Sequence, residues 1–169
     1  MSFGYDSTLV DKNSTDRIRD WADEMLRQIS RVRTSEAEQL RPCILVCHSL
    51  GGLVAREAML RLNSFPDKFD GIKLEKCGLV FLSSPHSGSM EADWNDLLAN
   101  LLESTIGLRS HAILDQLRPF NHLSVDSSEA FASMKVIPPF HCFVEGNRTK
   151  IAGKDRMVGV MTLRHHCRS

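Results

Sequence analysis

Cys43-Ile44-Leu45-Val46-Cys47-His48-Ser49-Leu50-Gly51-Gly52-Leu53-Val54 is the stretch whose reading decides the fold. A short, mostly apolar run meets a serine flanked by small residues, and a helical pattern begins at once after it. That is how a buried strand turns sharply into a helix, and the turn reads as a nucleophile elbow. At such a bend the serine hydroxyl is pushed above the sheet rim by strained backbone, so the residues two before and two after it must be small. Gly51 and Gly52 satisfy the far side; on the near side Cys47 stands where the G-x-S-x-G pattern has Gly. The helix after Ser49 would aim free N–H groups and its positive end at the reacting centre, with the amide of Leu50 as one oxyanion donor. The plainer reading is a strand, a glycine turn and a helix in which Ser49 is only a small turn residue.

The pattern continues outward from this stretch. Upstream, Ile18, Trp21, Ala22, Met25, Leu26, Ile29 and Val32 share one face at helical spacing, with Ser14 placed as N-cap and Asp16 in the first turn. Residues 34–41 read as a charged connector, Pro42 starts the strand, and residues 2–5 read as the tail of an earlier strand. Downstream, the helix carries Leu, Val, Ala and Met to about Asn63, with Arg56 and Glu57 placed outward. Cys77-Gly-Leu-Val-Phe-Leu-Ser reads as a second buried strand. Helix alternating with strand is what a parallel α/β sheet produces, so the fold class is α/β, a mostly parallel sheet flanked by helices.

Residues 83–89, Ser-Ser-Pro-His-Ser-Gly-Ser, follow the second strand on the rim that Ser49 is expected to occupy. Amphipathic patterns at 90–108 and from about Ser127 to Met134 lie within 87–138, which has the length of a helical cap-like insertion. The Leu stripes there also fit plain packing against the sheet. Phe140–Val144 reads as a strand ending on Glu145-Gly146, 146–155 as a polar connector, and Met157–Leu163 as a last short strand. The whole, 1–169, is expected to be a single partial domain.

Composition limits the partners. The chain has 169 residues, 42% of them hydrophobic and 25% charged, which is ordinary globular usage. Lys plus Arg equals Asp plus Glu at 21 each, so no charge bias favours nucleic acid. No apolar run approaches the roughly 20 residues that span a bilayer, and the N-terminus lacks the marks of a signal peptide. The expected location is intracellular. Five cysteines without C-x-x-C spacing read as buried thiols rather than a disulfide framework or a metal site, and the sequons at Asn13 and Asn147 then carry no weight.

Phe3-Gly4-Tyr5-Asp6, then Val46-Cys47-His48-Ser49-Leu50-Gly51-Gly52-Leu53-Val54, then Val80-Phe81-Leu82-Ser83-Ser84-Pro85-His86-Ser87-Gly88-Ser89 occur in the order of a known family. From about residue 3 to about residue 145 the chain resembles the lipase-like α/β-hydrolase domain of the serine active site-containing protein family. The resemblance implies motifs close to G-H-S-L-G-G at the elbow and G-T-P-H-x-G-S after the next strand. Cys47, Ser83 and Ser84 depart from them. It also implies strands ahead of the first one here and a different ending, so the chain is expected to be truncated at its N-terminus and divergent at its C-terminus. It implies an esterase or lipase, in some members associated with mitochondrial or endoplasmic reticulum membranes.

In such hydrolases the order is Ser, acid, His, with acid and base on loops after later strands. Glu145 ends the strand that follows the insertion and is the acid expected, with Asp126 and Asp155 as rivals. His165 or His166, after the last apolar stretch, is in the correct order for the base. His48 should point away from the hydroxyl as a packing or hydrogen-bonding residue, and His86 reads as a structural histidine of its loop. The chemistry requires no metal or organic cofactor, and the substrate expected is a small-molecule or lipid ester. The competing reading is a catalytically inactive hydrolase-like module that binds protein partners in a signalling protein.

Overall fold

The computed structural model describes residues 1–4, 14–48, 50–82, 126–145, 148–151, 154–157 and 160–163, with side chains at 1–4, 16–48, 50–82 and 126–143. The first helix, α1 (Ser14–Arg31), follows the predicted stripe: Ile18, Ala22, Met25, Leu26 and Ile29 are buried. Val32 falls just past its end and is exposed. A short helix, α2 (Glu36–Leu40), occupies what the sequence suggested was a connector. Its start is a capping box: the Ser35 hydroxyl accepts from the Glu38 N–H, and the Ser35 N–H donates to the Glu38 carboxylate at 2.9 Å.

Strand β1 (Cys43–His48) leads to helix α3 (Leu50–Ser64), and two 3₁₀ turns (Pro66–Lys68 and Leu74–Lys76) lead on to strand β2 (Cys77–Leu82). A helical stretch at 126–132 precedes strand β3 (Phe140–Glu145). Strands β4 (Arg148–Ile151), β5 (Lys154–Met157) and β6 (Val160–Leu163) follow. The main sheet has the order β1-β2-β3-β6, with β1, β2 and β3 parallel and β6 antiparallel to β3. Strands β4 and β5 form a separate antiparallel pair where the polarity of 146–155 suggested only a connector.

Register explains the core. Cys43, Leu45 and Cys47 of β1 face the same side as Cys77, Leu79 and Phe81 of β2 and Phe140 and Cys142 of β3, and that side joins the cluster formed by α1 and α3. Phe131 of the 126–132 helix packs edge-on to Phe140 at 6.0 Å, and Phe140 to Phe81 at 6.1 Å, which ties the third helical element to the sheet. Each fully buried side chain among Leu26, Leu53, Met59, Leu62 and Phe81 contributes roughly 1.5–3 kcal/mol over its exposed state. The other side of β1 stays open: Ile44 and Val46 are each 66% exposed.

Two expectations fail here for physical reasons. Residues 1–4 form no strand; Phe3 packs against the core as a single anchor instead. The outer edge of the described sheet is therefore β1 itself. Arg56 and Glu57 do not face solvent, because α3 is enclosed by the sheet, α1 and the 126–132 helix. Arg56 is 3% exposed and donates from Nη1 to the Ser128 hydroxyl. Glu57 is half-buried and pairs with Arg19 of α1 at 3.6 Å, burial pushing its carboxyl above the usual value.

Candidate active site

Because β1, β2 and β3 are parallel, their C-terminal ends share one rim. His48 closes β1 in register with Leu82, which closes β2, and Leu82 is in register with Phe143 of β3. Glu145 is the last residue of β3, two positions beyond Phe143. Its backbone is thus carried onto this rim, offset from β1 by two strand spacings, about 10 Å. Its side chain lies outside the described residues.

The passage from strand to helix is abrupt. β1 ends at His48 and α3 begins at Leu50, so a single position separates strand from helix. Ser49 itself lies outside the described residues. Leu50 is buried, as is Gly52 one turn position later. The first N–H groups of a helix have no intrahelical acceptor, and its dipole is positive at that end. Residues 50–53 therefore present unsatisfied donors and a favourable field to an anion at the rim.

The neighbours of position 49 face opposite ways. Cys47, which replaces the first glycine of the pattern, is buried on the core side, in register with Phe81. Burial pushes its thiol up to about 12, so at neutral pH it is a small uncharged core residue. His48 is exposed on the other side, with Ile44 and Val46, so of the packing or hydrogen-bonding role expected for it the packing is not seen.

The remaining predicted residues are dispersed. Asp126 is exposed at the start of the 126–132 helix, and Asp155 lies in β5, outside the main sheet. His86, His165 and His166 lie outside the described residues, as do most of the 87–138 insertion and Cys167. Strand β6 bears on the base: Val160 is in register with Glu145 and Leu163 with Cys142, so the chain runs along β6 away from the rim where β1, β2 and β3 end.

Arg56 is a buried charge that the helical pattern placed on the wrong side. Burial lowers its pKa to about 10, partly offset by Cys142. The signal was present in Leu53-Val54-Ala55 and Ala58-Met59-Leu60 around it, since a helix apolar on nearly every side is buried on every side.

Residues 2–150 match the sequence pattern of the alpha/beta hydrolase family. The chain belongs to the alpha/beta hydrolase family. The rim described above is the C-terminal edge where open α/β sheets bind ligands. The chain is also similar to Protein SERAC1 of Danio rerio, with 31% identity over 116 residues, covering 64% of this chain. It spans only 17% of that protein's length. No solved structure matches the chain. Among the described residues of this member of the alpha/beta hydrolase family, no helix is long and apolar enough to cross a membrane.

Proposed function

We propose that the chain is a serine hydrolase of carboxylic esters. The observation that carries this reading is the one-residue passage from β1 to α3, which supports Ser49 at an elbow with the helix N-terminus behind it. Ser49 attacks the ester carbonyl, and the base, His165 or His166, accepts the hydroxyl proton. The backbone N–H of Leu50 stabilises the oxyanion, and the base returns the proton to the leaving alcohol. Water then attacks the acyl-enzyme by the same route, releasing the carboxylic acid. Glu145 holds the imidazole in the required tautomer. The offset of about 10 Å between β1 and β3 backbones leaves room for an imidazole between the two side chains, as a Ser–His–acid relay requires.

A small-molecule or lipid ester is the substrate in this reading, and the site of action is inside the cell. The resemblance to the serine active site-containing proteins supports both and allows association with mitochondrial or endoplasmic reticulum membranes. Fractionation of the tagged chain between cytosol and membranes tests the location.

The antiparallel direction of β6 favours a second reading. A strand that leads away from the rim is a poor carrier for the base, and a chain lacking it would be an inactive hydrolase-like module that binds protein partners. A fluorophosphonate probe and a short-chain nitrophenyl ester separate the two. Labelling and hydrolysis that both vanish in Ser49→Ala support the enzyme; a folded chain that neither labels nor hydrolyses is the inactive module.

A further inference from the structure

At the opposite end of the sheet from the elbow, two thiols face each other. Cys43, the first residue of β1, is in register with Cys77, the first residue of β2, and in parallel strands register partners project to the same side. Adjacent strands run about 4.8 Å apart, within the Cα separation that a disulfide bridges. Cys77 Sγ donates to the Lys73 carbonyl at 3.4 Å, which leaves its sulfur lone pairs free to meet Cys43. Cys43 is partly exposed while Cys77 is buried. Both cysteines sit at strand starts, and Cys77 directly follows the 3₁₀ turn Leu74–Lys76, so the backbone there is less constrained than in mid-sheet.

Arg33 fixes a positive charge beside them. Its guanidinium donates from Nε to the Gly71 carbonyl at 2.9 Å and from Nη2 to the Gln39 carbonyl at 3.2 Å and to the Arg41 carbonyl. All three acceptors are neutral, so its charge is not cancelled by these contacts. The facing Cys77 thiol lowers the Cys43 thiol below its ordinary value against the opposing effect of burial, and Arg33 adds to the lowering. Proximity to Cys43, with burial, raises the Cys77 thiol. Cys43, partly exposed and beside the Arg33 charge, is therefore the partner better placed to react as a thiolate, with the buried Cys77 behind it.

The other described thiols lack this arrangement. Cys47 and Cys142 are each in register with Phe81, on its two sides, so they stand two strand spacings apart, about 10 Å, beyond disulfide reach. Burial raises both of their pKa values.

We infer that Cys43 and Cys77 form a dithiol site that hydroperoxides oxidise to a cross-strand disulfide. The Cys43 thiolate attacks the peroxide O–O bond, forming the Cys43 sulfenic acid and releasing an alkoxide, or hydroxide from hydrogen peroxide, that takes a proton from solvent to leave as the alcohol or as water. The Cys77 sulfur then attacks the Cys43 sulfur, its proton leaves with the sulfenic hydroxyl as water, and the S–S bond forms. Two thiols are oxidised by two electrons and one peroxide is reduced by two. The product pins β1, the outer strand of the described sheet, to β2.

The test uses the full chain, reduced and then exposed to hydrogen peroxide, followed by unfolding, alkylation and peptide mapping by mass spectrometry. The expected product is a linked pair of peptides containing Cys43 and Cys77, two hydrogens lighter than the separate reduced peptides and released by dithiothreitol, with Cys47 and Cys142 still alkylated. In Cys77→Ser, Cys43 should stop at a sulfenic acid that dimedone traps, and in Cys43→Ser, Cys77 should stay reduced. Alkylation of both Cys43 and Cys77 after peroxide, or preferential linkage of either to another cysteine, overturns the assignment. The wild-type map decides the question even if a variant fails to fold, and it is independent of ester hydrolysis.

Discussion

His48 and Leu82 end their parallel strands side by side. With β3 continuing the same rim to Glu145, the chain builds one edge at which strand ends and a helix N-terminus converge. A strand-end rim beside a helix N-terminus is what an acyl-transfer site needs, because developing oxyanion charge is met by donors that are already oriented.

The first prediction concerns that rim. Ser49→Ala should lower ester hydrolysis by at least about 10³-fold, since the remaining donors and binding surface supply only residual catalysis. Glu145→Gln should lower it by about 10²- to 10⁴-fold while leaving fluorophosphonate-reactive Ser49 in place but slow. Steady-state kinetics on a nitrophenyl ester measures both. Losses within these ranges with unchanged folding support the shared site, and a Glu145→Gln variant with full activity removes that residue from it.

A second prediction rests on Asp23, which joins α1 to α3. Its carboxylate accepts from Arg61 Nη2 at 2.8 Å and from Lys68 Nζ at 2.8 Å. Burial pushes its pKa up, but the hydrogen bonds and charges of Arg61 and Lys68 outweigh that and hold it below its ordinary value of 3.8. A lowered folded-state pKa stabilises the fold above the unfolded pKa and ceases to do so as pH falls through the folded one. The contribution should therefore be complete at neutral pH, begin to fall near about pH 4 and be lost as pH drops through the lowered folded-state value. Asp23→Asn should cost about 2 kcal/mol at pH 7 and much less at pH 3, as read from urea unfolding.

Much of this organisation was legible in the residues. The runs at 43–48, 77–82 and 140–145 are apolar and bounded by turn signals, and each became a strand of the main sheet. Helix α2 was also legible in principle, because Ser35-Glu36-Ala37-Glu38 is a capping-box pattern, yet charge made it look like a connector. Strands β4 and β5 were harder: Arg-Thr-Lys-Ile and Lys-Asp-Arg-Met have no continuous apolar face, and only their two-residue separation hints at a hairpin. The direction of β6 could not be read, since alternation is the same in both directions along a strand. Arg56 was misplaced because helical periodicity separates faces only where one face meets water, and α3 has almost none.

A third prediction follows from Gly71, whose φ of 81° is in the left-handed region. A Cβ there would lie 2.5 Å from the Arg33 carbonyl oxygen and 3.3 Å from the Arg33 Cβ. Both the backbone conformation and the space require glycine, and Arg33 in turn donates to the Gly71 carbonyl. Gly71→Ala should destabilise by about 2 kcal/mol or more. Thermal unfolding measures it, and an unchanged midpoint would mean that the turn accommodates a side chain by shifting away from Arg33.

The last prediction concerns the open side of β1. Its outer edge pairs with no described strand, and Ile44 and Val46 project together on the uncovered face. An apolar edge strand is a template for pairing with another chain, and charges placed on it block that approach at little cost when the side chains are already in water. Ile44→Lys combined with Val46→Lys should leave the unfolding free energy within about 1 kcal/mol of wild type. Light scattering at rising concentration should show less self-association for the double variant. If the variant instead unfolds, Ile44 and Val46 are covered in solution; if its association equals that of wild type, chains meet elsewhere. Both alternatives are distinguishable, because the first appears in the unfolding transition and the second only in the scattering.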